Sequence, residues 1–481
     1  MNTWGGIWTL FLPSYPSVLV YMLQSTEYQP GPYLKWYWRT NDFTAVMRRR
    51  TLVRTKSARL LLWAARAGML LQIVIGLSLI TLWFTEHTPG AWQFGASLLL
   101  SYPVIWAHVI VLPLWLGRIF IISPREKGLI KIARAIFAKH PGTKIAVAGS
   151  YGKTSMKELL GTVLAAGKDV AITPANKNVA VSHARFAQKL TGKEDVLVIE
   201  YGEGKPGDVR QFAEITQPTL GIITGLAPAH LDQYPTFEAA ALDIFSLADY
   251  LQDKNVYANG ESEAIGPYLK PTHTTYTAAG VGDWEVGHVK LGYDGIKFVM
   301  KRGKERLNIQ SGLLGRHQIG PLAAVAAIAD HLGLTKAQIE AGCKQTTSFE
   351  HRMQPRAIGG AWIIDDTYNG NIDGIKAGVA LMKELPAKRK IYVTPGLVDQ
   401  GEETIAVHFK MGQLIADAAP DKVVLMENSV TPHIQAGLKE GHYHGEVEVQ
   451  SDPLDFYTGL EHFVAAGDLW LLQNDWPDNY Q

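Results

Sequence analysis

One cysteine, Cys343, is all that 481 residues contain. Its solitude excludes an intramolecular disulfide and a cysteine-only zinc site, and it fits a reducing compartment. An excess of one charge is missing too. Forty-six Lys and Arg against 45 Asp and Glu leave a formal +1, so no bulk field draws the chain to nucleic acid, and no nucleic-acid partner is expected. No internal repeat or low-complexity tract is present. The length, with 47% hydrophobic and 19% charged residues, allows two or three globular domains.

Two stretches near the front lack charge altogether. Ala67–Phe84 runs 18 residues without a charged side chain, and Trp92–Leu116 runs 25 with only His108 able to carry one. Both reach the length that crosses a bilayer of roughly 30 Å. Trp83, Trp92 and Trp115 lie near their ends, where amphipathic rings favour the interface. An earlier run, Ile7–Leu23, is apolar but holds Pro13 and Pro16, so it reads as a kinked span or an interfacial helix. No basic segment precedes it, which makes it a poor signal peptide. Residues 1–125 are thus expected to form a membrane region with two or three transmembrane helices, at about 7–23, 67–84 and 92–116.

Lysine and arginine are also missing from the link Thr85–Ala91. They crowd the flanks instead, as Lys35, Arg39, Arg48, Arg49, Arg50, Arg54, Lys56 and Arg59 before the spans and Arg118, Arg125, Lys127, Lys131 and Arg134 after them. The positive-inside bias puts these segments, and the long C-terminal portion, in the cytoplasm. Three spans place the N-terminus outside; two keep it inside.

From about Lys127 short β-branched runs alternate with helical patterns. "KIAVAG", "DVAITP", "DVLVIEYG", "TLGIITG" and "KNVYANG" have the length and flanks of buried parallel strands, which predicts a doubly wound α/β domain. Beyond Thr347, "AWIIDD", "KIYVTPG", "KVVLME" and "DLWLLQ" predict a second, smaller α/β unit. The expected fold is therefore N-terminal transmembrane helices, a central doubly wound P-loop-type domain over 126–346, and a Rossmann-like C-terminal domain over 347–481.

The central domain opens with "KIAVAGSYGKTSMKELL", Lys144–Leu160, which reads strand, glycine turn, helix. Gly149 and Gly152 permit the turn and a close approach of backbone to phosphate, with Ser150 between them. Lys153 supplies a cation to the outer phosphates. Thr154 offers a hydroxyl to Mg²⁺, and the helix from Ser155 aims its positive end at the anion. The glycine spacing is shorter than that of the standard P-loop. No Walker B strand ending in adjacent carboxylates follows at the right place, which argues against a transporter ATPase.

"GSYGKTSMKEL" resembles the ATP loop of the Mur ligases, and further motifs follow in that family's order. "TPANKN" resembles its asparagine-rich turn and places Asn176 near the nucleotide. "VIEYGEGKPGDV" resembles its strand ending in a metal-facing glutamate, Glu200. "LAPAHLDQY" resembles its histidine turn, His230. "GRHQIGPLAA" resembles its nucleotide-facing helix start, with His317 and Gln318. "IIDDTYNGNIDGIKA" resembles the opening of its C-terminal domain, with Asp366 for the ribose and Tyr368 and Asn369 beside the nucleotide. Arg352, at the domain junction, is placed to clamp phosphate, and His408 has a family counterpart.

The resemblance implies ATP and Mg²⁺ as cofactors. It implies Lys153 and His230 as catalytic residues and Thr154, Glu200 and His230 as metal ligands. The implied activity is ATP-dependent amide-bond formation through an acyl phosphate, by the branch that adds D-alanyl-D-alanine to a muramoyl tripeptide in peptidoglycan synthesis. The implied setting is the bacterial cytoplasmic membrane, multi-pass, with cytoplasmic catalytic domains. Membrane lipid and other wall enzymes are the expected partners.

Four departures bear on this. Gln318 and Pro321 stand where the family presents asparagines, which alters the adenine contact. The family's carbamylated lysine is absent; Ala241 occupies its place, and Asp243 is a candidate substitute. Asp399 and Gln400 vary a loop near the incoming dipeptide. Last, the membrane region and a basic aromatic loop, "EYQPGPYLKWYWRTNDFTAVMRRR", occupy the place of the family's UDP-binding domain, so the acceptor is either differently docked or lipid-linked. Two other readings stay open: a membrane ligase of another polymer, such as poly-γ-glutamate, and a non-catalytic nucleotide-binding scaffold.

Overall fold

The structure is a computed structural model describing residues 3–26, 28–44, 46, 51–174, 177–227, 234, 236–368, 370–398, 400 and 403–474. It divides into two units, Met1–Gly128 and Leu129–Gln481.

The first unit is helical. The Ile7–Leu23 run is not one continuous helix. It breaks into helix Thr3–Trp8, a turn Thr9–Phe11 and helix Tyr15–Ser25, with extended backbone at Leu12. Pro13 is the physical reason, because proline disfavours helical backbone in the residue before it. The charge-free runs do form long helices. Lys56–Glu86 has 31 residues, is capped by Thr55 Oγ1 accepting from Ala58 N, and stops at left-handed His87. At about 1.5 Å per residue it exceeds the roughly 30 Å of a bilayer core. It and the helical stretch Ala91–Lys139 are long and apolar enough to cross a membrane, and only 11% and 17% of their most apolar windows is buried, so they are not ordinary core helices.

The two helices touch through small residues. A Cβ on Gly95 would lie 2.6 Å from Gly76 O. Gln72, in mid-helix, donates to Leu98 O at 3.1 Å and accepts from Trp106 Nε1 at 2.9 Å. Tyr15, Met22, Tyr33 and Ala107 fill the core beneath, and Tyr33 Oη donates to Ala107 O at 2.9 Å.

The second unit holds two sheets. Strands β1 (Thr143–Ala148), β2 (Val170–Ile172), β3 (Val196–Glu200), β4 (Leu220–Ile223), β5 (Val256–Asn259) and β6 (Thr274–Thr277) pair in parallel, in the order β2-β3-β1-β4-β5-β6. The sheet continues antiparallel through β7 (Gly280–Val281), β8 (Trp284–Gly292), β9 (Gly295–Arg302) and β10 (Glu305–Ser311). The strand alternation of β1 is visible in its burial. Ile145 and Val147 pack with helices Lys153–Leu164 and Ile319–His331 on one face, and Ala146 and Ala148 pack on the other with Phe212 and Ile244.

The second sheet runs β11-β12-β16-β13-β14-β15, from β11 (Gln354–Ile358), β12 (Ala361–Asp366), β13 (Arg389–Thr394), β14 (Lys422–Met426), β15 (Glu446–Gln450) and β16 (Asp468–Gln473). All pairs are parallel except β11–β12. The two sheets' cores meet: Leu314 packs in the second core, and Tyr293 stacks on Trp362 with centroids 4.6 Å apart.

Candidate active site

The site forms where β1 and β3 end side by side, Val147 in register with Glu200. Here the carboxyl ends of parallel strands open a crevice. The loop after β1 turns on two glycines with positive φ. At Gly149 (φ +142°) a Cβ would sit 2.3 Å from Thr224 Oγ1, so only glycine fits. Gly152 (φ +75°) has space for a Cβ but a conformation that disfavours one. Ser150 N donates to Gly225 O at 2.8 Å, tying the loop to the end of β4. Helix Lys153–Leu164 starts at Gly152 with no side-chain cap. Its first-turn N–H groups have no intrahelical acceptor, which leaves the positive helix end for an anion.

Lys153 folds back over this loop. Its Nζ donates to Gly149 O and, at 3.3 Å, to Ser150 O, and it pairs with Glu203 Oε1 at 3.2 Å. Beside it lies a cavity of about 220 Å³ lined by Lys153, Asn178, Gly202, Glu203, Asp208 and Phe212.

Glu200 is 3% exposed. Its Oε1 accepts from Thr154 Oγ1 at 3.1 Å and Asn178 Nδ2 at 3.4 Å. Its backbone is held as well, since N donates to Thr173 Oγ1 at 3.0 Å and O accepts from His183 Nε2 at 2.9 Å. Burial keeps His183 neutral, pulling it down to about 4. Two residues expected to share a metal, Thr154 and Glu200, are therefore in contact. A hydroxyl next to a carboxylate oxygen is the hard-oxygen donor set Mg²⁺ takes, with the remaining positions left to water and phosphate. Glu200 Oε2 lies on the other side, 3.3 Å from the ammonium of Lys157. Among the described residues no group of three His, Cys, Asp or Glu converges on one point. His230, the expected third ligand, lies outside the described residues, as do Asn176 and Asn369.

Asp243 does not open onto this crevice as a spare acid. Its Oδ1 accepts from Gly207 N and its Oδ2 from Tyr234 Oη, each at 2.8 Å, so it fastens the loop after β3. Ala241 is fully buried.

The remaining expected nucleotide residues sit on two other elements. Gln318 Nε2 donates to His317 Nε2 at 2.9 Å in the turn before helix Ile319–His331. Burial pulls His317 down to about 4. Pro321 falls in the first turn of that helix, where no N–H is required. At the junction the Arg352 guanidinium lies 4.1 Å over the Tyr368 ring. Asp366 accepts from Gln473 Nε2 at 2.8 Å and Met353 N at 3.1 Å, and burial pushes it up to about 6. His408 is fully buried. Its Nε2 accepts from Leu397 N at 2.9 Å and its Nδ1 faces Thr404 O at 2.6 Å, which holds the loop after β13.

Several site residues escaped the sequence reading. Glu203 carries no motif signal beyond its place three residues after Glu200. Tyr151, inside the loop itself, packs on Gly225, and burial pushes its hydroxyl up to about 12.

Residues 147–329 match the Mur ligase middle domain. The chain is 27% identical to the UDP-N-acetylmuramoyl-tripeptide–D-alanyl-D-alanine ligase of Mycobacterium tuberculosis, over 80% of this chain and 81% of that one. It is also 27% identical to the enzyme of the same name from Escherichia coli, over 59% and 64%. In fold it is similar to the MurF ligase of Thermotoga maritima in complex with ADP (TM-score 0.65, 20% identity, 75% and 82% covered) and to MurF from Acinetobacter baumannii (TM-score 0.64, 18% identity, 73% and 78% covered).

Proposed function

We propose that the chain is an ATP-dependent amide-bond ligase that adds D-alanyl-D-alanine to a muramoyl-tripeptide precursor in peptidoglycan synthesis. The observation that carries this is the contact of Thr154 with Glu200 beside Lys153 at the ends of β1 and β3. The names of the relatives supply the substrates. Phosphoryl transfer needs positioning and charge neutralisation more than covalent help. Gly149, Ser150, Gly152 and the first turn of the helix cradle phosphate oxygens, and Lys153 leaves Glu203 to face them. Thr154, Glu200 and His230 would hold Mg²⁺, which would supply positive charge against the phosphates. Asn176, His317, Gln318, Asp366, Tyr368 and Asn369 take the nucleoside, and Arg352 reaches the phosphates. The acyl phosphate then yields to the amine, releasing phosphate.

The domains assigned are 1–125, 126–346 and 347–481. The helices Lys56–Glu86 and Ala91–Lys139 anchor the chain in the cytoplasmic membrane, with the catalytic domains on the cytoplasmic side. The basic, aromatic segment ahead of them supports an acceptor held at the lipid surface. Phosphate release from ATP tests the activity. It is expected only when the tripeptide precursor and the dipeptide amine are both present, and it should fall at least a hundredfold in Glu200→Gln. Release that needs neither substrate would contradict the ligase.

A further inference from the structure

The helix that begins at the phosphate loop carries a second lysine one turn beyond Lys153. Lys157 is fully buried, unusual for an ammonium. Burying a cation alone is costly, and its partners must offset the lost water. Two carboxylates surround it. Glu200 Oε2 lies 3.3 Å from Nζ and Glu158 Oε1 lies 3.2 Å away. Glu158 is 30% exposed and Glu200 4% exposed over their side chains, so Glu200 is the partner that shares the dry interior. Neither contact has hydrogen-bond geometry, so the lysine acts on the carboxylate by charge and by occupying space.

Positions three apart lie on one helix face, and Thr154 and Lys157 use that spacing to divide one carboxylate between them. Thr154 Oγ1 takes Oε1 at 3.1 Å, and Lys157 sits against Oε2. Asn178 reinforces the Oε1 side at 3.4 Å. The plane of the carboxylate is thereby set relative to the same helix end that would receive the phosphates.

We propose that Lys157 is a positioning residue for Glu200, holding Oε2 so that Oε1 is the oxygen presented, with the Thr154 hydroxyl, to the divalent cation of the nucleotide. This rests on the reading of Thr154 and Glu200 as cation ligands. It makes a prediction opposite in sign to a purely electrostatic role. Removing a positive charge 3.3 Å from a carboxylate should tighten cation binding if charge alone counts. It should weaken binding if the lysine aligns the ligand.

The test uses the full chain in detergent with ADP, counting bound Mn²⁺ by the loss of the free-ion paramagnetic resonance signal. Lys157→Met is expected to weaken ADP-dependent Mn²⁺ binding at least tenfold while metal-free ADP affinity stays within twofold. Lys157→Arg keeps the charge but not the reach and is expected to weaken it too, so the test survives if the methionine variant fails to fold. Glu158→Gln, which removes only the outer partner, is expected to leave Mn²⁺ affinity unchanged. Unchanged or tighter Mn²⁺ binding in both Lys157 variants, with the parent binding normally, overturns the proposal alone. A parent that binds no ADP-dependent Mn²⁺ overturns the cation-site reading and the proposal with it.

Discussion

Lys153 spends its ammonium on Glu203 and on two carbonyls of its own loop, so an arriving phosphate competes with a carboxylate already in place. Glu203→Gln removes that competitor's charge. It is expected to raise ATP affinity severalfold in calorimetric titration; a fall would mean that Glu203 aids binding instead. A second carboxylate, Glu194, accepts from Thr191 N and Oγ1, Gly192 N and His140 Nε2 at 2.8–3.0 Å. Burial opposes its charge, but these hydrogen bonds prevail and bring it down to about 2. A carboxyl depressed in the folded state stabilises above its unfolded value, near 4.3, and that contribution disappears as pH falls toward 2. Melting temperatures of Glu194→Gln should lie below the parent's at pH 6 and converge with them near pH 2.5. A constant gap would exclude the linkage. Lys153, Thr154 and Glu200 were legible in the sequence because a loop motif and a strand end mark them. Lys157, Glu203 and Tyr151 were not, because their roles depend on which carboxylate or loop lies opposite, and spacing along the chain does not reveal that.

At the level of elements, β1, β3 and β4 were readable because a parallel strand buried on both faces is a continuous apolar run. The antiparallel β8–β10, with alternating burial and many charged residues, lack that signature, and the short edge strands β11 and β15 are largely exposed. Proline likewise decided the first apolar run, since composition counts Pro13 as tolerable in a span while the backbone breaks there. The two long helices depend on close approach at Gly76 and Gly95. Gly95→Leu drives a side chain into the Gly76 carbonyl and should cost about 1–3 kcal/mol as overpacking. That should be read as a lower melting temperature in detergent, while Ser97→Leu, on the exposed side, should change little. Equal effects would remove the helix contact from the account.

Across the whole molecule, the central and C-terminal sheets are braced by the Tyr293–Trp362 stack. Ahead of them lie two helices long and apolar enough to cross a membrane. The most direct measurement incubates the detergent-solubilised chain with ATP, D-alanyl-D-alanine and either a soluble or a lipid-linked muramoyl tripeptide. The expected result is a precursor heavier by one dipeptide, with ADP and phosphate released in equal amount and the lipid-linked precursor favoured. ATP binding with no mass gain and no phosphate release on either precursor would contradict the ligase outright.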